Sequence, residues 1–493
     1  MKNFIFISPN FPTNYWMFCR ELKNNGINVL GIGDQPYDEL NKNLKESLNE
    51  YYKVDSLEDN DAVYRAVAFF IFKHGRIDWL ESNNEYWLER DAKLRTDFNI
   101  TSGFQACDIP RIKYKSKMKE FYKKAGIATA RYYLVEDLKG CLKFIKKVGY
   151  PVVAKPDNGV GASHTFKITN QQELEAFLVA KQPHVTYIME EFINAEVNSY
   201  DAIIDSKGEP IFETGNVTPN SIMDVVNTLD NSIYFIVKDL PEDMKKAGRA
   251  TVKSFGVKSR FVHFEFFRLL EDHEGLGKKG EVVALEVNMR PCGGFTPDMI
   301  NFANSTNVYK IWADMIAYDS TQLPVGEHFY CAYAGRRDGK DFMLHHGNIL
   351  EKYARQLKMI ERIPDVLADA MGNQMYVANF STPEQVNAYY NDMLREKWME
   401  QEIPPVIRIE EEIPVVEEVP IVEETPIIKE TVSKEVVSEN IISEETASKP
   451  AENNSITECT TVDTPVAAPT VKETKKKGTK KSTTAKKKAE KAE

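Results

Sequence analysis

The feature that most constrains the fold is a pair of apolar runs, residues 260–270 (RFVHFEFFRLL) and 281–294 (EVVALEVNMRPCGG). The polar stretch EDHEGLGKKG, rich in glycine and lysine, lies between them. Two such runs around a turn-forming segment predict two strands that are joined as a hairpin. The loop between them is longer than the tightest hairpin turns.

Side chains alternate between the two faces of a strand, so the pattern also predicts what each face carries. One face of the second run carries polar side chains: Glu286, Asn288 and Arg290. Its other face carries apolar side chains, which we expect in the core: Val283, Leu285, Val287 and Met289. In the first run, Phe261, His263 and Glu265 share a face, and Val262, Phe264 and Phe266 oppose them.

Two carboxylates, an amide and a guanidinium could therefore converge on one surface of this hairpin. Carboxylate and amide oxygens are the ligands that Mg²⁺ prefers, usually together with substrate phosphates. An arginine beside them could stabilise charge on a phosphoryl group in transfer. The alternative is a solvated outer face with ordinary charges, and the hairpin residues alone leave both interpretations open.

Chain length, cysteine content and the lengths of the apolar stretches limit the possible classes of protein. A chain of 493 residues is too long for one typical domain, so we expect two to four. Six cysteines without a CxxC pair favour reduced thiols over a disulfide framework or a zinc site. The start has no signal-peptide pattern, and no stretch reaches the roughly 20 apolar residues that span a bilayer. We therefore expect a cytoplasmic protein without a membrane partner.

Residues 1–110 predict an open α/β domain with a parallel sheet. The apolar runs at 3–7, 27–34 and 77–82 alternate with helical patterns at 14–23, 59–74 and 85–97. Gly31 and Gly33 do not form a GxGxxG fingerprint, so no dinucleotide site is predicted. Ser8, Asn10 and Glu85 lie at strand ends, where such sheets bind ligands, although such residues are more often turn residues and helix caps.

Residues 111–320 carry the other motifs. A basic amphipathic helix is predicted at 114–126, and a buried strand at 150–156 delivers Lys155 at its end. The stretch DNGVGASHT follows, and its glycines let backbone amides approach phosphate oxygens, although the spacing is not that of a Walker A loop. A further strand leads to Glu190 and Glu191, with Glu196 shortly after.

The last two segments differ sharply in composition. Residues 321–400 predict further strands and helices that form a C-terminal α/β part closing the preceding domain. Residues 401–493 repeat acidic, Ile/Val and Pro residues and end in a lysine-rich stretch. Regular prolines and few aromatic residues cannot support a core, so we expect a low-complexity, disordered tail.

Taken in order, the motifs KSKMKEFYKKAGI, YPVVAKPDNGVGAS, YIMEEFINAE, FVHFEFF and LEVNMRPCGG resemble the ATP-grasp superfamily, at its carboxylate–amine ligase end. The resemblance covers about residues 1–400. It implies a fold of the α/β plus α+β class, in which an open α/β N-terminal domain precedes a two-lobed ATP-grasp core that holds ATP. It also implies a carboxylate that attacks the γ-phosphate of Mg-ATP, and an acylphosphate that is taken by an amine or thiol.

The resemblance assigns roles to particular residues. Lys115 and Lys155 look like the lysines that contact the ATP phosphates, and Lys155 and Arg290 like the catalytic residues. The loop over the phosphates corresponds to Asn158, Gly159, Gly161, Ala162 and Ser163. The segment that reads the adenine edge corresponds to Glu190, Glu191 and Ile193, and the ribose acceptor to Glu196. The Mg²⁺ ligands, with Mn²⁺ as an alternative ion, correspond to Glu265, Glu286 and Asn288, and Arg290 faces the acylphosphate.

Four residues near these motifs depart from the pattern or invite a second role. His164 and Thr165 stand where a further glycine is common in the superfamily, so how the loop closes stays open. His263 is expected to be a half-buried strand histidine rather than a base. Cys292, beside the metal face, is expected not to be a nucleophile, because nothing in the sequence marks it as activated.

The predicted function is therefore an ATP- and Mg²⁺-dependent ligase that joins a small, amino-acid-like carboxylate to an amine through an acylphosphate. The alternatives are a biotin-dependent carboxylase-type component and a non-catalytic ATP-binding module that acts through its charged tail. A nucleic-acid partner is expected only through the lysine-rich end. The sequence leaves the substrate identity and the oligomeric state open, and a homodimer is compatible with it.

Overall fold

A computed structural model describes residues 1–159, 164–219 and 230–407 of the chain. Three β-sheets organise these residues, and helices pack against the sheet faces. Two predictions fall wholly or mostly outside the described ranges: the loop residues Gly161, Ala162 and Ser163, and the tail from residue 408 onward. Among the helices in those ranges, none is both long enough and apolar enough to cross a membrane.

The N-terminal sheet is parallel, as the alternation of strands and helices predicted. Its strands are β1 (Asn3–Ile7), β2 (Asn28–Gly33), β3 (Glu50–Lys53) and β4 (Trp79–Glu81), in the order β3-β2-β1-β4. Its helices are α1 (Trp16–Asn24), α2 (Lys42–Ser47), α3 (Asn60–His74) and α4 (Leu88–Asp97), with a 3₁₀ turn at Tyr37–Glu39. Because helices cover both faces, the strands β1 and β2 are almost continuously apolar and buried. The short strand β3 was not predicted.

A small antiparallel sheet follows, after a 3₁₀ turn at Ala106–Asp108 and the helices α5 (Ile109–Lys113) and α6 (Lys115–Ala125). Its strands are β5 (Tyr132–Leu134), β6 (Val152–Pro156), β7 (Phe166–Ile168) and β8 (Tyr187–Glu191), in the order β5-β8-β6-β7. The helices α7 (Leu138–Val148) and α8 (Gln171–Ala180) pack on one face of this sheet and form its core. The basic helix ends at Gly126, which adopts the left-handed conformation with φ of 75° that glycine tolerates best.

The largest sheet has nine strands and is antiparallel throughout the described residues. Its strands are β9 (Ala195–Ile204), β10 (Pro210–Thr214), β11 (Asn216–Thr218), β12 (Ser232–Ile236), β13 (Arg260–Leu269), β14 (Val282–Asn288), β15 (Tyr330–Arg336), β16 (Leu357–Arg362) and β17 (Gln374–Phe380). Its order is β14-β13-β9-β11-β12-β15-β17-β16, with β10 also on β9. Its helices are α9 (Glu242–Phe255), α10 (Thr296–Asn304), α11 (Val308–Tyr318), α12 (His346–Lys352), α13 (Asp365–Met371) and α14 (Pro383–Leu394).

The strands β15, β16 and β17 lie in residues 321–400, which were predicted as a separate C-terminal part. They nevertheless belong to the same sheet as the predicted core at 111–320, because β15 pairs with β12, β17 with β15, and β16 with β17. The first residues of the predicted tail are also ordered. Ile403, Val406 and Ile407 pack on the core beside helix α14, and the amides of Val406 and Ile407 donate to the Asn387 side chain. The predicted domain boundaries at 110, 320 and 400 stay a prediction.

The hairpin β13–β14 forms as predicted, but one face assignment was wrong. The register pairs Glu265 with Glu286 and Phe266 with Ala284, so Leu285 is an extra residue on β14. A bulge of this kind reverses the alternation beyond it. Ala284 therefore packs in the core with Val287, where the strict alternation had placed Leu285. Val283 joins a different apolar cluster on the opposite side.

Helix α9 packs so closely on β9 that we expect a glycine to be essential. A Cβ added at Gly248 would lie 2.2 Å from the ring of Tyr200, which is fully buried. Alanine normally stabilises a helix interior by about 1 kcal/mol relative to glycine. Here the clash outweighs that gain, so Gly248→Ala should lower the free energy of unfolding by about 1–3 kcal/mol in urea titrations.

Gly347 provides the matched control for this prediction. It lies in helix α12, and a Cβ added there would meet nothing within 4 Å. Gly347→Ala should therefore leave the free energy of unfolding unchanged or raise it slightly. Equal losses in the two variants would contradict the close packing of α9.

Candidate functional site

The polar face of the hairpin brings the predicted metal ligands together. Glu265 and Glu286 are directly opposite one another, and Asn288 is opposite His263. Directly opposed residues have Cβ atoms about 4.5–5.5 Å apart, so a single ion can reach both carboxylates. The side chains of Glu265 and Glu286 keep 22% and 21% of their surface exposed, so both carboxylates face an opening rather than the core.

Lys115 closes this face from the side of helix α6. Its Nζ lies 3.0 Å from the Glu286 carboxylate and donates to the Gly159 carbonyl at 3.1 Å. Burial alone would lower the pKa of Lys115, but Glu286, with Glu85 and Glu190, outweighs burial and raises it. In turn, burial alone would raise the pKa of Glu286, but Lys115, with Lys155 and Arg290, outweighs burial and lowers it. The pair is therefore charged, and it connects the loop after β6 to the predicted metal ligands.

Asp157 fixes the position of Lys115, and sequence reasoning missed it. Its carboxylate accepts hydrogen bonds of 2.7 Å from both the amide and the hydroxyl of Ser116. Its backbone carbonyl accepts from the Lys115 amide at 2.8 Å. These bonds satisfy the first amides of helix α6, which has no side-chain cap of its own. An aspartate two residues after Lys155 was visible in the sequence, but the helix that it contacts was not.

Glu190 is held between two lysines. Lys119 lies 2.5 Å and Lys155 2.7 Å from its two carboxylate oxygens. Burial alone would raise the pKa of Glu190, but the two lysines outweigh burial and lower it to about 2. Its side chain is thus engaged, and only its backbone is left for the predicted adenine contact. Lys119 was not predicted, although its i+4 spacing from Lys115 places both lysines on one face of the helix.

The other residues of the predicted adenine and ribose segment lie beside Glu190. The Glu191 carboxylate turns to the opposite face of β8, where it accepts from the Arg131 amide at 2.6 Å and its guanidinium at 2.7 Å. Ile193 follows the strand, and its amide donates to no backbone carbonyl among the described residues. Glu196 is half-buried at the start of β9 and accepts from the Asn198 amide group at 3.1 Å.

The described part of the predicted phosphate loop lies next to Lys115. Asn158 is exposed, and Gly159 offers its carbonyl to Lys115. On the far side of the loop, His164 has a positive φ of 57° and its ring lies 3.2 Å from the Gln182 amide group. The loop therefore begins beside Lys115 and re-enters the small sheet through β7.

Arg290 connects the hairpin to the N-terminal sheet. Its guanidinium donates to the Asn288 side-chain oxygen at 3.2 Å and to the Pro291 carbonyl at 2.9 Å. Its Nε lies 3.7 Å from the carboxylate of Glu85, which is itself 3.6 Å from Lys113. Of the polar residues that the sequence placed at the strand ends of the first domain, Glu85 therefore reaches the predicted site.

A second, unpredicted contact fixes the same segment. Arg260, at the start of β13, donates to the Met289 carbonyl at 2.5 Å and forms a buried ion pair with Glu81 at the end of β4. Arg95 also lies 3.3 Å from Glu81. Met289 lies between Asn288 and Arg290, so this pair ties the N-terminal sheet to the backbone of the predicted catalytic segment.

His263 was predicted to be half-buried, and the structure corrects this because only 4% of the residue is exposed. Its Nδ1 lies 2.8 Å from Asp201 and its Nε2 lies 3.0 Å from Glu265. Burial alone would lower the pKa of His263, but Cys292 and Asp201 outweigh burial and raise it well above its usual value. The imidazole between two carboxylates is therefore positively charged.

Two known ligases are similar to this chain in sequence. No protein-family profile matches the chain. An L-arginine-specific L-amino acid ligase of Bacillus subtilis is 22% identical over 335 residues, which are 66% of this chain and 78% of that protein. A phosphoribosylamine–glycine ligase of Clostridium acetobutylicum is 27% identical over 195 residues, which are 36% of this chain and 44% of that protein. The chain thus matches less than half the length of the second relative.

The fold is similar to that of a solved ligase structure. The crystal structure of an L-amino acid ligase from Bacillus licheniformis matches with a TM-score of 0.59 at 16% identity, over 81% of this chain and 99% of that one. This match confirms the predicted α/β plus α+β fold class. The two sequence relatives are both ligases, which confirms the prediction of a ligase that forms ADP and phosphate.

Proposed function

We propose that this chain, a ligase with the ATP-grasp fold, joins a small, amino-acid-like carboxylate to an amine through an acylphosphate. ATP-dependent carboxylate–amine ligation as a class is supported by its relatives. The amino-acid-like substrate is suggested by the two amino acid ligases among the proteins that it resembles. The roles of individual residues below belong to the same proposal.

One observation carries the proposal: Glu265 and Glu286 oppose each other with both carboxylates partly exposed, and Lys115 lies on one side of them. Arg290 and Asn288 lie on the other side of the same face. A solvated outer face would leave these charges exposed and unpaired. Here they are partly buried and converge from three separate elements, as phosphoryl transfer requires, because such transfer depends mainly on positioning and charge neutralisation.

Lys115 and Lys155 would contact the ATP phosphates, and Asn158, Gly159 and the residues after them would cover these phosphates. The backbone around Glu190, Glu191 and Ile193 would read the adenine edge, and the Ile193 amide is available for this role. The Glu196 carboxylate, which faces Asn198, would accept from the ribose hydroxyls. Lys119 and Lys155 both contact Glu190. Because Lys119 would keep Glu190 paired, Lys155 would be free to turn to the phosphates.

Glu265, Glu286 and Asn288 would hold Mg²⁺, or Mn²⁺ in its place. Their two carboxylates and one amide oxygen are hard donors, and the opposed carboxylates leave room for phosphate oxygens, so the residues fit such an ion. When bound, the ion neutralises the charge that develops on the β- and γ-phosphates. Lys115 would exchange its contact with Glu286 for a contact with the phosphates.

The chemistry then follows in two steps. A substrate carboxylate oxygen bonds to the γ-phosphorus while the bond between that phosphorus and the bridging oxygen of ADP breaks. Arg290 would stabilise the acylphosphate with its guanidinium, which already points along this face. The amine nitrogen then bonds to the acyl carbon, inorganic phosphate leaves, and one proton passes from the nitrogen to the surroundings.

The experiment measures ADP release from Mg-ATP with pools of amino acids and small carboxylates, in wild type and in Glu286→Gln. We expect ADP release that depends on the pool in wild type and falls at least about 100-fold in the variant, which keeps the side-chain shape but loses a charged ligand. Splitting the active pool then identifies the carboxylate and the amine.

Two further arms test the alternatives. Bicarbonate with biotin as the acceptor tests the carboxylase-type reaction, and each pool is also run without any amine. ADP release only with bicarbonate and biotin would replace the proposal by carboxylation. ATP binding without turnover in every pool, together with an unchanged ATP affinity in Glu286→Gln, would contradict the ligase assignment of this face and favour a non-catalytic binding module.

A further inference from the structure

Three side chains of metal-binding type that the proposed reaction does not use as ligands meet on the polar face itself, beside Glu265. Asp201 lies on β9, His263 on β13 and Cys292 in the segment after β14. One ligand atom of each lies within 4.8 Å of the others. Asp201 is fully buried and His263 almost so, whereas Cys292 is partly exposed. The cluster is therefore enclosed by protein on one side and open on the other.

The cluster is also held in place by its neighbours. Asp201 accepts hydrogen bonds from the Ser199 hydroxyl and, at 3.3 Å, from the Asn216 side chain. Ser199 in turn accepts from the Asn216 amide at 2.8 Å. Such outer contacts orient metal ligands in proteins and contribute to affinity. The directions of the Asp201 oxygens are thus fixed before anything binds.

We propose that Asp201, His263 and Cys292 form a binding site for a thiophilic divalent cation of the Zn²⁺ class, separate from the Mg²⁺ ligands. A thiolate, an imidazole nitrogen and a carboxylate oxygen are a donor set that Zn²⁺ accepts and Mg²⁺ does not. Bond lengths of about 2.0–2.3 Å place tetrahedral ligands about 3.3–3.7 Å apart, so the observed separations need shifts of only about 1 Å.

Binding requires that the ligands change their present partners. His263 gives up one of its two carboxylate contacts, and the protons that the ligands release on binding pass to solvent. His263 also contacts Glu265, a proposed Mg²⁺ ligand. An ion bound by His263 therefore changes the surroundings of the Glu265 carboxylate. We therefore expect the ion to inhibit the ligase when both are present.

Co²⁺ is the probe, because a cobalt–thiolate bond gives a charge-transfer absorption and a tetrahedral site gives intense visible bands. Purified full-length protein is titrated with Co²⁺ alone, in a large excess of Mg²⁺, and then with Zn²⁺ as competitor. We expect one equivalent of Co²⁺ to give both signals, excess Mg²⁺ to leave them in place, and Zn²⁺ to remove them. Cys292→Ser should abolish the charge-transfer band, and Ser199→Ala should weaken Co²⁺ binding about 10- to 100-fold.

Cys107→Ser is the matched control, because this exposed cysteine lies in a different part of the chain, at a 3₁₀ turn. It should keep the signals of wild type. Circular dichroism of Cys292→Ser checks that the variant is folded. A charge-transfer band that survives in Cys292→Ser, or that disappears in Cys107→Ser, would overturn the proposal, as would Co²⁺ bands that excess Mg²⁺ removes. The readout is spectroscopic and stands whether or not the ligase reaction is found.

Discussion

Replacing Arg290 with lysine is expected to lower kcat about 100- to 1,000-fold and to leave the dissociation constant of ATP within about twofold. Arg290 uses its planar fork fully: one nitrogen donates to Asn288, one to Pro291, and the third faces Glu85. Lysine keeps the charge but has a single nitrogen on a flexible stem, so it could not hold these partners together with the acylphosphate that Arg290 is proposed to stabilise. The loss should therefore fall on the chemical step.

The measurement pairs ADP release at saturating substrates with ATP binding by equilibrium dialysis. Arg268→Lys is the matched control, because Arg268 lies on the same hairpin but donates to Asp243, the Gly280 carbonyl and the Asn198 side chain, and to none of the predicted Mg²⁺ ligands. It should keep the kcat of wild type. An unchanged kcat in Arg290→Lys, or an equal loss in Arg268→Lys, would show that Arg290 does not act on the acylphosphate.

The hairpin shows how far the sequence alone reaches. Alternation along residues 281–294 correctly placed Glu286 and Asn288 on the face of Glu265, because that part of the ladder is regular. The bulge at Leu285 was invisible, because an extra residue is defined only against the partner strand. The alternation in the sequence therefore identified the polar face. The register between β13 and β14 determines which apolar side chains pack behind it.

The lysines show a second limit. The i+4 spacing in helix α6 puts Lys115 and Lys119 on one face, yet Lys119 was not predicted, because nothing in the sequence indicated that Glu190 would contact both Lys119 and Lys155. The same holds for the buried pair of Arg260 with Glu81, whose members are far apart in the chain. Contacts between elements depend on the tertiary fold, and only the resemblance to a known superfamily anticipated some of them.

Glu190→Gln is expected to lower the free energy of unfolding at neutral pH by about 3 kcal/mol. The folded protein lowers the pKa of this carboxyl from 4.5 to about 2, and each unit is worth about 1.4 kcal/mol. The amide removes the charge that both Lys119 and Lys155 contact, so one buried and one partly buried cation would be left uncompensated. ATP phosphates would replace the missing charge, so saturating ATP should recover part of the loss.

The dependence on pH separates this charge effect from a general packing defect. The pKa of Glu190 is lower in the folded protein than in the unfolded chain, so its carboxylate stabilises the fold fully above pH 4.5. This stabilisation is lost as the pH falls from 4.5 toward about 2. Urea titrations over a pH series should therefore show a gap between wild type and Glu190→Gln that is full at neutral pH and narrows on acidification. Glu120→Gln, an exposed neighbour of Lys119, should show no such gap. A gap of constant size at every pH would mean that the side chain matters for its shape and not for its charge.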